Sequence, residues 1–259
     1  MSKPGAWLRG LATDLKISIL FCTRLPLAHS VPIAGGDVAR ATWALPIAGA
    51  LVGGAGALAY WFAFHLGLPS VIAAALTLAV TLVATGCLHE DGLADTADGF
   101  GGGKTLPHKL EIMRDSRIGT YGACALTISF VLRWSALATI AHPLPVATAL
   151  IVAHASARAP LPIFMWFIPL ARTDGLSAQA GRPPRTSMAA AGLLGVTALM
   201  LGLGPIAAII GLFLLALAGI LMGWLSMRQI GGQTGDVIGA VEQINEILIL
   251  LTGVVLLKA

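Results

Sequence analysis

The stretch from Pro205 to Leu225, PIAAIIGLFLLALAGILMGWL, runs for twenty-one residues without a charge. At 1.5 Å per residue a helix of this length covers about 30 Å, the thickness of a bilayer's hydrocarbon core. Similar stretches recur on both sides of it. We read spans at Thr42 to Phe64, Ser70 to Leu88, Gly119 to Ala141, Pro145 to Leu170, Met188 to Leu203, Pro205 to Leu225 and Val237 to Leu257. The fold class is therefore all-α, a polytopic integral membrane protein with about seven transmembrane helices in one domain over residues 1–259. Pro160 and Pro162 predict a kink or break in the fourth span. Composition agrees: 57% of residues are hydrophobic and 11% charged, whereas soluble domains carry about 25% charged residues.

Charge falls on alternate connections. Lys3, Arg9, Lys16, Arg24 and Arg40 precede the first span, and Lys104, Lys109, Arg114 and Arg117 separate the second from the third. Arg172, Arg182 and Arg185 follow the fourth, and Arg228 follows the sixth. The turns at 65–69, 142–144 and 202–204 contain no Lys or Arg. The positive-inside rule makes the charged connections cytoplasmic, so residues 1–40 form a cytoplasmic or interfacial arm and residues 89–118 a cytoplasmic active-site loop. The net charge of +4 then reflects orientation, and no nucleic-acid partner is expected. Arg9, Asp14, Lys16 and Arg24 interrupt what would be the apolar core of a cleaved signal, so we expect the N-terminus to be retained. Cys22, Cys87 and Cys124 suggest neither a disulfide framework nor a thiolate metal site and read as apolar fillers.

The segment His89-Glu90-Asp91-Gly92-Leu93-Ala94-Asp95-Thr96-Ala97-Asp98 sits just after the second span. Asp91, Asp95 and Asp98 stand at i, i+4 and i+7, one face of a helix. Three carboxylates on one face repel unless a divalent cation sits among them, and oxygen-only ligands favour Mg²⁺ over zinc. The competing reading is a solvated polar helix end. Gly92, Gly99 and Gly101 to Gly103 weigh against it, because they remove side chains where backbone could approach a ligand. His89 reads as a ligand, a base or a structural histidine, and Glu90 points elsewhere on the helix. Gly101 to Thr105 is no P-loop, since that pattern requires glycine at Asp98 and a preceding strand.

Arg114, Asp115 and Arg117 offer two guanidiniums that can grip phosphate, with Asp115 orienting one or adding a metal ligand; positive-inside anchoring is the alternative. A second polar knot, Arg172-Thr173-Asp174-Gly175, follows the fourth span. The glycine-rich turn from Gly231 through Gly232 and Thr234 to Asp236 opens a helix able to receive a phosphate, although Asp236 could equally be a cap. Arg133, Arg158, Glu242 and Glu246 lie at membrane depth, where charge is expensive unless paired or lining a cavity. Glu242 and Glu246 are one turn apart and could face Arg158, with His154 nearby.

Together these residues resemble the cobalamin synthases, also called adenosylcobinamide-GDP ribazoletransferases. The likeness rests on Phe21-Cys22-Thr23-Arg24-Leu25-Pro26, Arg40 with Leu45-Pro46-Ile47-Ala48-Gly49, His89 to Gly99, Glu111 to Thr120 and Gly231 to Ala240, in that order. Glu90, where the family commonly has an apolar residue, and Arg133, where a lysine is familiar, depart from the pattern. The resemblance implies that adenosylcobinamide-GDP and α-ribazole, or its 5′-phosphate, give the cobalamin product and GMP with Mg²⁺ as cofactor. It implies metal and diphosphate binding by Asp91, Asp95 and Asp98, with Asp236 as a further metal ligand and His89 as a base. Phosphate binding is expected of Arg114, Arg117, Asp115, Arg24, Arg40, Arg158, Gly232 and Thr234. The expected setting is the inner membrane with its lipid, the site facing the cytoplasm, compatible with a homo-oligomer or with association of other cobalamin-pathway enzymes.

Two other readings compete. A CDP-alcohol phosphotransferase also uses membrane aspartates and Mg²⁺, but the arginine and second aspartate ladder of its motif are missing after Asp91-Gly92-Leu93-Ala94-Asp95. A transporter would use Arg158, Glu242 and Glu246 as a pathway, yet no internal repeat is found.

Overall fold

Gly49 and Gly53 govern the largest helix contact. A Cβ on Gly53 would stand 2.6 Å from the Leu150 carbonyl oxygen, and one on Gly49 would strike the backbone at His154. Without side chains there, two spans lie backbone against backbone, which is how helices associate in lipid, where no hydrophobic drive separates them from acyl chains. The computed structural model describes residues 4–27 and 35–257; Lys3 lies outside the described residues. Among these every regular element is a helix, and the one β contact is an isolated parallel bridge between Leu170 and Gln233.

In chain order the helices are α1 (Pro4–Cys22), α2 (Gly35–Ala41), α3 (Leu45–His65), α4 (Ser70–Thr85), α5 (Leu88–Gly102), α6 (Leu106–Ile112) and α7 (Thr120–Ile140). They continue as α8 (Pro143–Arg158), α9 (Leu161–Phe167), α10 (Leu176–Ala180), α11 (Arg185–Leu203), α12 (Pro205–Ile230) and α13 (Gly235–Leu256). Six segments are long and apolar enough to cross a membrane: Gly36–His65, Thr120–Ile140, Pro143–Phe167, Arg185–Leu203, Pro205–Ile230 and Gly235–Leu256. The pair α4 and α5, bent by 89°, brings the count to seven when taken as one broken span. Small and aliphatic side chains such as Ala73, Leu137, Leu150, Ile249 and Leu250 fill the core between α4, α7, α8 and α13.

Three expectations shift. The second span does not run to Leu88. Gly86 and Cys87 both adopt left-handed backbone, φ 64° and 59°, which ends α4 and turns the chain sharply into α5. The active-site loop at 89–118 is largely helical, as α5 and α6. The arm at 1–40 is partly built into the bundle: Ile17, Ser18 and Cys22 of α1 are buried. The proline break is found as expected, with α8 ending at Arg158 and α9 starting at Leu161.

Candidate active site

α5 and α13 meet over glycines. A Cβ on Gly92 would stand 2.7 Å from the Asp236 carbonyl oxygen, and one on Gly239 3.3 Å from the His89 Cα. That approach brings Asp91 of α5 and Asp236 of α13 to one cavity of about 280 Å³, lined on its other sides by α1, α2, α3, α9 and α10. Asp95 lies within electrostatic reach of Asp91, Asp236, Asp98 and Arg172. Asp91 is exposed and Asp95 half-buried, so both can meet a ligand.

Arg172 completes the group, and sequence reasoning had noticed it only as part of a polar knot. Its Nη2 lies 3.4 Å from Asp236 Oδ2 and its Nε 3.8 Å from Asp174 Oδ1. Its Nη1 is buried with no hydrogen-bond partner among the described residues. A buried donor left open costs about 1–3 kcal/mol, so this nitrogen is suited to an incoming anionic oxygen. Arg114 reaches both oxygens of Asp174 at 2.6 Å, so Arg114, Asp174, Arg172 and Asp236 form a chain of alternating charge. A phosphate could replace Asp174 between the two guanidiniums.

Several expected site residues have other work. Asp98 turns away from the cavity: its Oδ2 accepts from the Gly119 amide at 2.7 Å and its Oδ1 from the Gly122 amide at 2.9 Å. It holds the N-terminus of α7, where unpaired amides favour a carboxylate. Arg40 pairs with Asp14 and Asp37, both at 2.9 Å. Arg24 packs against Gly86, and its amide donates to Ala84 O at 2.7 Å, which pins the bend. Arg117 and Asp115 pair with each other at 2.5 Å on the surface; that guanidinium holds the Asp115 carboxyl down at about 2.

The turn before α13 is structural rather than an open phosphate nest. The Gln233 amide donates to Pro169 O at 2.7 Å, and the Ala171 amide donates to Gln233 O at 2.9 Å. Gly232 is needed because any Cβ there would strike this neighbouring strand of backbone. Thr234, not Asp236, is the helix cap: its Oγ1 accepts from the Val237 amide at 3.3 Å and donates to Asp236 Oδ2 at 3.0 Å. The bridge thereby sets Arg172 beside Asp236.

Beneath the cavity lies a buried ionic block. Arg158 Nη1 pairs with Glu242 Oε1 at 2.6 Å, and Arg133 Nη1 with Glu90 at 3.0 Å and Glu246 at 3.2 Å. The expected facing of Arg158 and Glu242 is found, but Arg158, 1% exposed, is enclosed and neutralised, so it is not positioned to hold a phosphate. Glu90 and Arg133, the two departures noted above, are each other's partners. Among the described residues, the group whose possible ligand atoms lie within 4.8 Å of one another is His154, Glu242 and Glu246. Guanidiniums already fill that space, since Arg158 Nη1 stands 3.3 Å from His154 Nδ1. His89 joins the two regions: it lines the cavity, while its Nδ1 lies 3.4 Å from Arg158 Nη2 and 3.6 Å from Glu242 Oε2.

Fold and site define a polytopic membrane protein with an acidic, arginine-edged cavity opening between its helices. Residues 14–255 match the family model described as cobalamin-5-phosphate synthase. Relatives named adenosylcobinamide-GDP ribazoletransferase include those of Bradyrhizobium diazoefficiens, 59% identical over 94% of both chains, and of Mesorhizobium japonicum, 48% identical over 97% of this chain and 96% of the other. That of Azorhizobium caulinodans is 44% identical over 93% and 95%. No solved structure gives a significant match. The chain belongs to the cobalamin-5-phosphate synthase family.

Proposed function

We propose that this chain joins adenosylcobinamide-GDP to α-ribazole, or to its 5′-phosphate, and releases GMP. The observation that carries this reading is the open Nη1 of Arg172 beside a group of carboxylates that it cannot neutralise alone. In the transfer, a ribose hydroxyl attacks the cobinamide-linked phosphorus. An O–P bond forms, the diphosphate P–O bond breaks, GMP leaves with the electron pair and the hydroxyl proton is released. Such transfer at phosphorus depends mostly on positioning and on charge stabilisation.

Asp91, Asp95 and Asp236 supply only oxygen and carry more negative charge than Arg172 offsets, which fits a hard divalent cation. These three would hold Mg²⁺, which when bound would offset charge on the diphosphate and on departing GMP. Asp98 would support the site from behind, through α7. Arg172 and Arg114 would grip phosphate oxygens, and α5 and α13 would fix the carboxylates at the cavity rim.

The site would face the cytoplasm of the inner membrane, with lipid around the spans. Aromatic and basic side chains near these helix ends support that orientation: Arg182 stacks 3.8 Å from the Trp166 ring and Arg228 lies 5.5 Å from the Trp224 ring, pairs suited to the headgroup level. Neither a CDP-alcohol phosphotransferase nor a transporter gains support from the relatives. The test is GMP release by detergent-solubilised protein supplied with both substrates. We expect Mg²⁺-dependent release, and no GMP above a metal-free control would refute the reading.

A further inference from the structure

We infer that the cavity behind the carboxylates is the slot for the acceptor nucleoside's aromatic base, and that the corrinoid and the guanine both stay outside it. This rests on the reaction proposed above. The cavity has two unlike walls. One carries His89, Asp91, Arg172 and Asp236; the other is built from Ile17, Phe21, Leu45, Leu161, Met165 and Leu176.

The hydroxyls on that second wall are already committed. Ser18 donates to Ala41 O at 2.6 Å, Thr42 to Ala39 O at 2.8 Å and Ser177 to Gln233 Oε1 at 2.8 Å. No hydroxyl proton remains for a base edge, although the hydroxyl oxygens can still accept. Guanine entering here would bury its O6 and N7 acceptors unmatched, at about 1–3 kcal/mol each. A benzimidazole ring linked to ribose keeps a single free ring nitrogen and otherwise presents carbon, which this wall accepts.

Size argues the same way. At about 280 Å³ the cavity is just below the usual small-ligand range of about 300–1,000 Å³. It has room for one nucleoside and none for a tetrapyrrole. With its base in the apolar end, the acceptor would present its ribose hydroxyls towards Asp91, Asp236 and Arg172, where the diphosphate of the other substrate arrives from the mouth. The choice of lower-ligand base is then made by α1, α3, α9 and Leu176 of α10, apart from the residues that handle phosphate.

Met165, on the short helix after the proline break, is the residue to vary. Met165→Trp should narrow the slot and raise KM for α-ribazole about tenfold, leave KM for adenosylcobinamide-GDP within about twofold, and be partly relieved by the smaller riboside of unsubstituted benzimidazole. Phe21→Trp, at a position 39% exposed and so with little risk to folding, should act in the same direction. A KM effect on adenosylcobinamide-GDP instead, or on neither substrate, overturns the assignment. Direct binding of α-ribazole, followed by calorimetry on wild type and both variants, separates this inference from the reaction. Weakened binding in the variants supports the slot even if no GMP forms, and unchanged binding sinks it even if GMP does.

Discussion

The cavity rim and the block beneath it are made of the same residue types, and their arrangement differs. Below, three glutamates meet two arginines at contacts of 2.6 to 3.2 Å with both guanidiniums enclosed. The donors left over, Arg133 Nε and Nη2 and Arg158 Nε, are buried away from the cavity lining. Around the rim, Asp91, Asp95 and Asp236 lie within electrostatic reach of one another, with Arg172 in partial contact with Asp236 at 3.4 Å and one of its donors open. Charges paired and enclosed inside a protein hold geometry; charges left unbalanced at a cavity are available to a ligand. Membrane depth marked Arg133, Arg158, Glu242 and Glu246 as functional and helical spacing marked the aspartates; only their partners separate the two roles.

The largest expected effect breaks the rim. Asp91→Asn and Asp236→Asn keep shape and remove charge, so GMP release should fall about 10³-fold, the scale of losing one strong electrostatic group at a transferring centre. Thermal stability should stay level or rise, since like charges are being relieved. Arg117→Ala serves as the control, because Arg117 pairs only with its surface neighbour Asp115; turnover should change less than about threefold. If an aspartate variant turned over like wild type, the rim would lose its assigned role.

Breaking the block should give the opposite pattern. Glu242→Ala leaves Arg158 buried and unpaired, and removing one partner of a buried pair costs about 3–5 kcal/mol. The melting temperature in detergent should drop markedly, with lost activity following lost folded protein. Replacing both partners, Arg158→Met with Glu242→Leu, should recover much of that stability. Unchanged melting with abolished turnover in Glu242→Ala would instead make the block part of the chemistry.

Much of this was legible in the chain because it is local. Apolar runs gave the spans, Pro160 and Pro162 the break, and the four-residue spacing of Asp91 and Asp95 their shared face. What stayed hidden depends on residues distant in sequence. Asp98 has the right helical spacing for the metal group, but the amides of Gly119 and Gly122 claim it. Arg172 owes its place beside Asp236 to the backbone bridge between Leu170 and Gln233. The 89° bend after α4 needs left-handed backbone at Cys87 as well as at Gly86, and cysteine carries no turn signal. Glu90 and Arg133 each looked out of pattern, and only their contact explains them.

His89 sits where rim and block touch, and testing it sharpens the boundary with the smallest change. Its nearer neighbour at Nδ1 is Arg158, at 3.4 Å. A guanidinium only donates, so Nδ1 accepts and the ring hydrogen is assigned to Nε2. A histidine held this way offers a donor to a phosphate oxygen and has no lone pair at Nε2 to act as the base expected from the resemblance. His89→Gln can carry an N–H to a similar position but is no base. It should keep turnover within about tenfold of wild type, whereas His89→Ala should lose about 100-fold. Selective ¹⁵N labelling of histidine should show Nε2 protonated in the wild-type protein. Equal loss in Gln and Ala variants, together with a signal from protonated Nδ1, would return His89 to the role of base, with Glu242 at 3.6 Å as its acceptor.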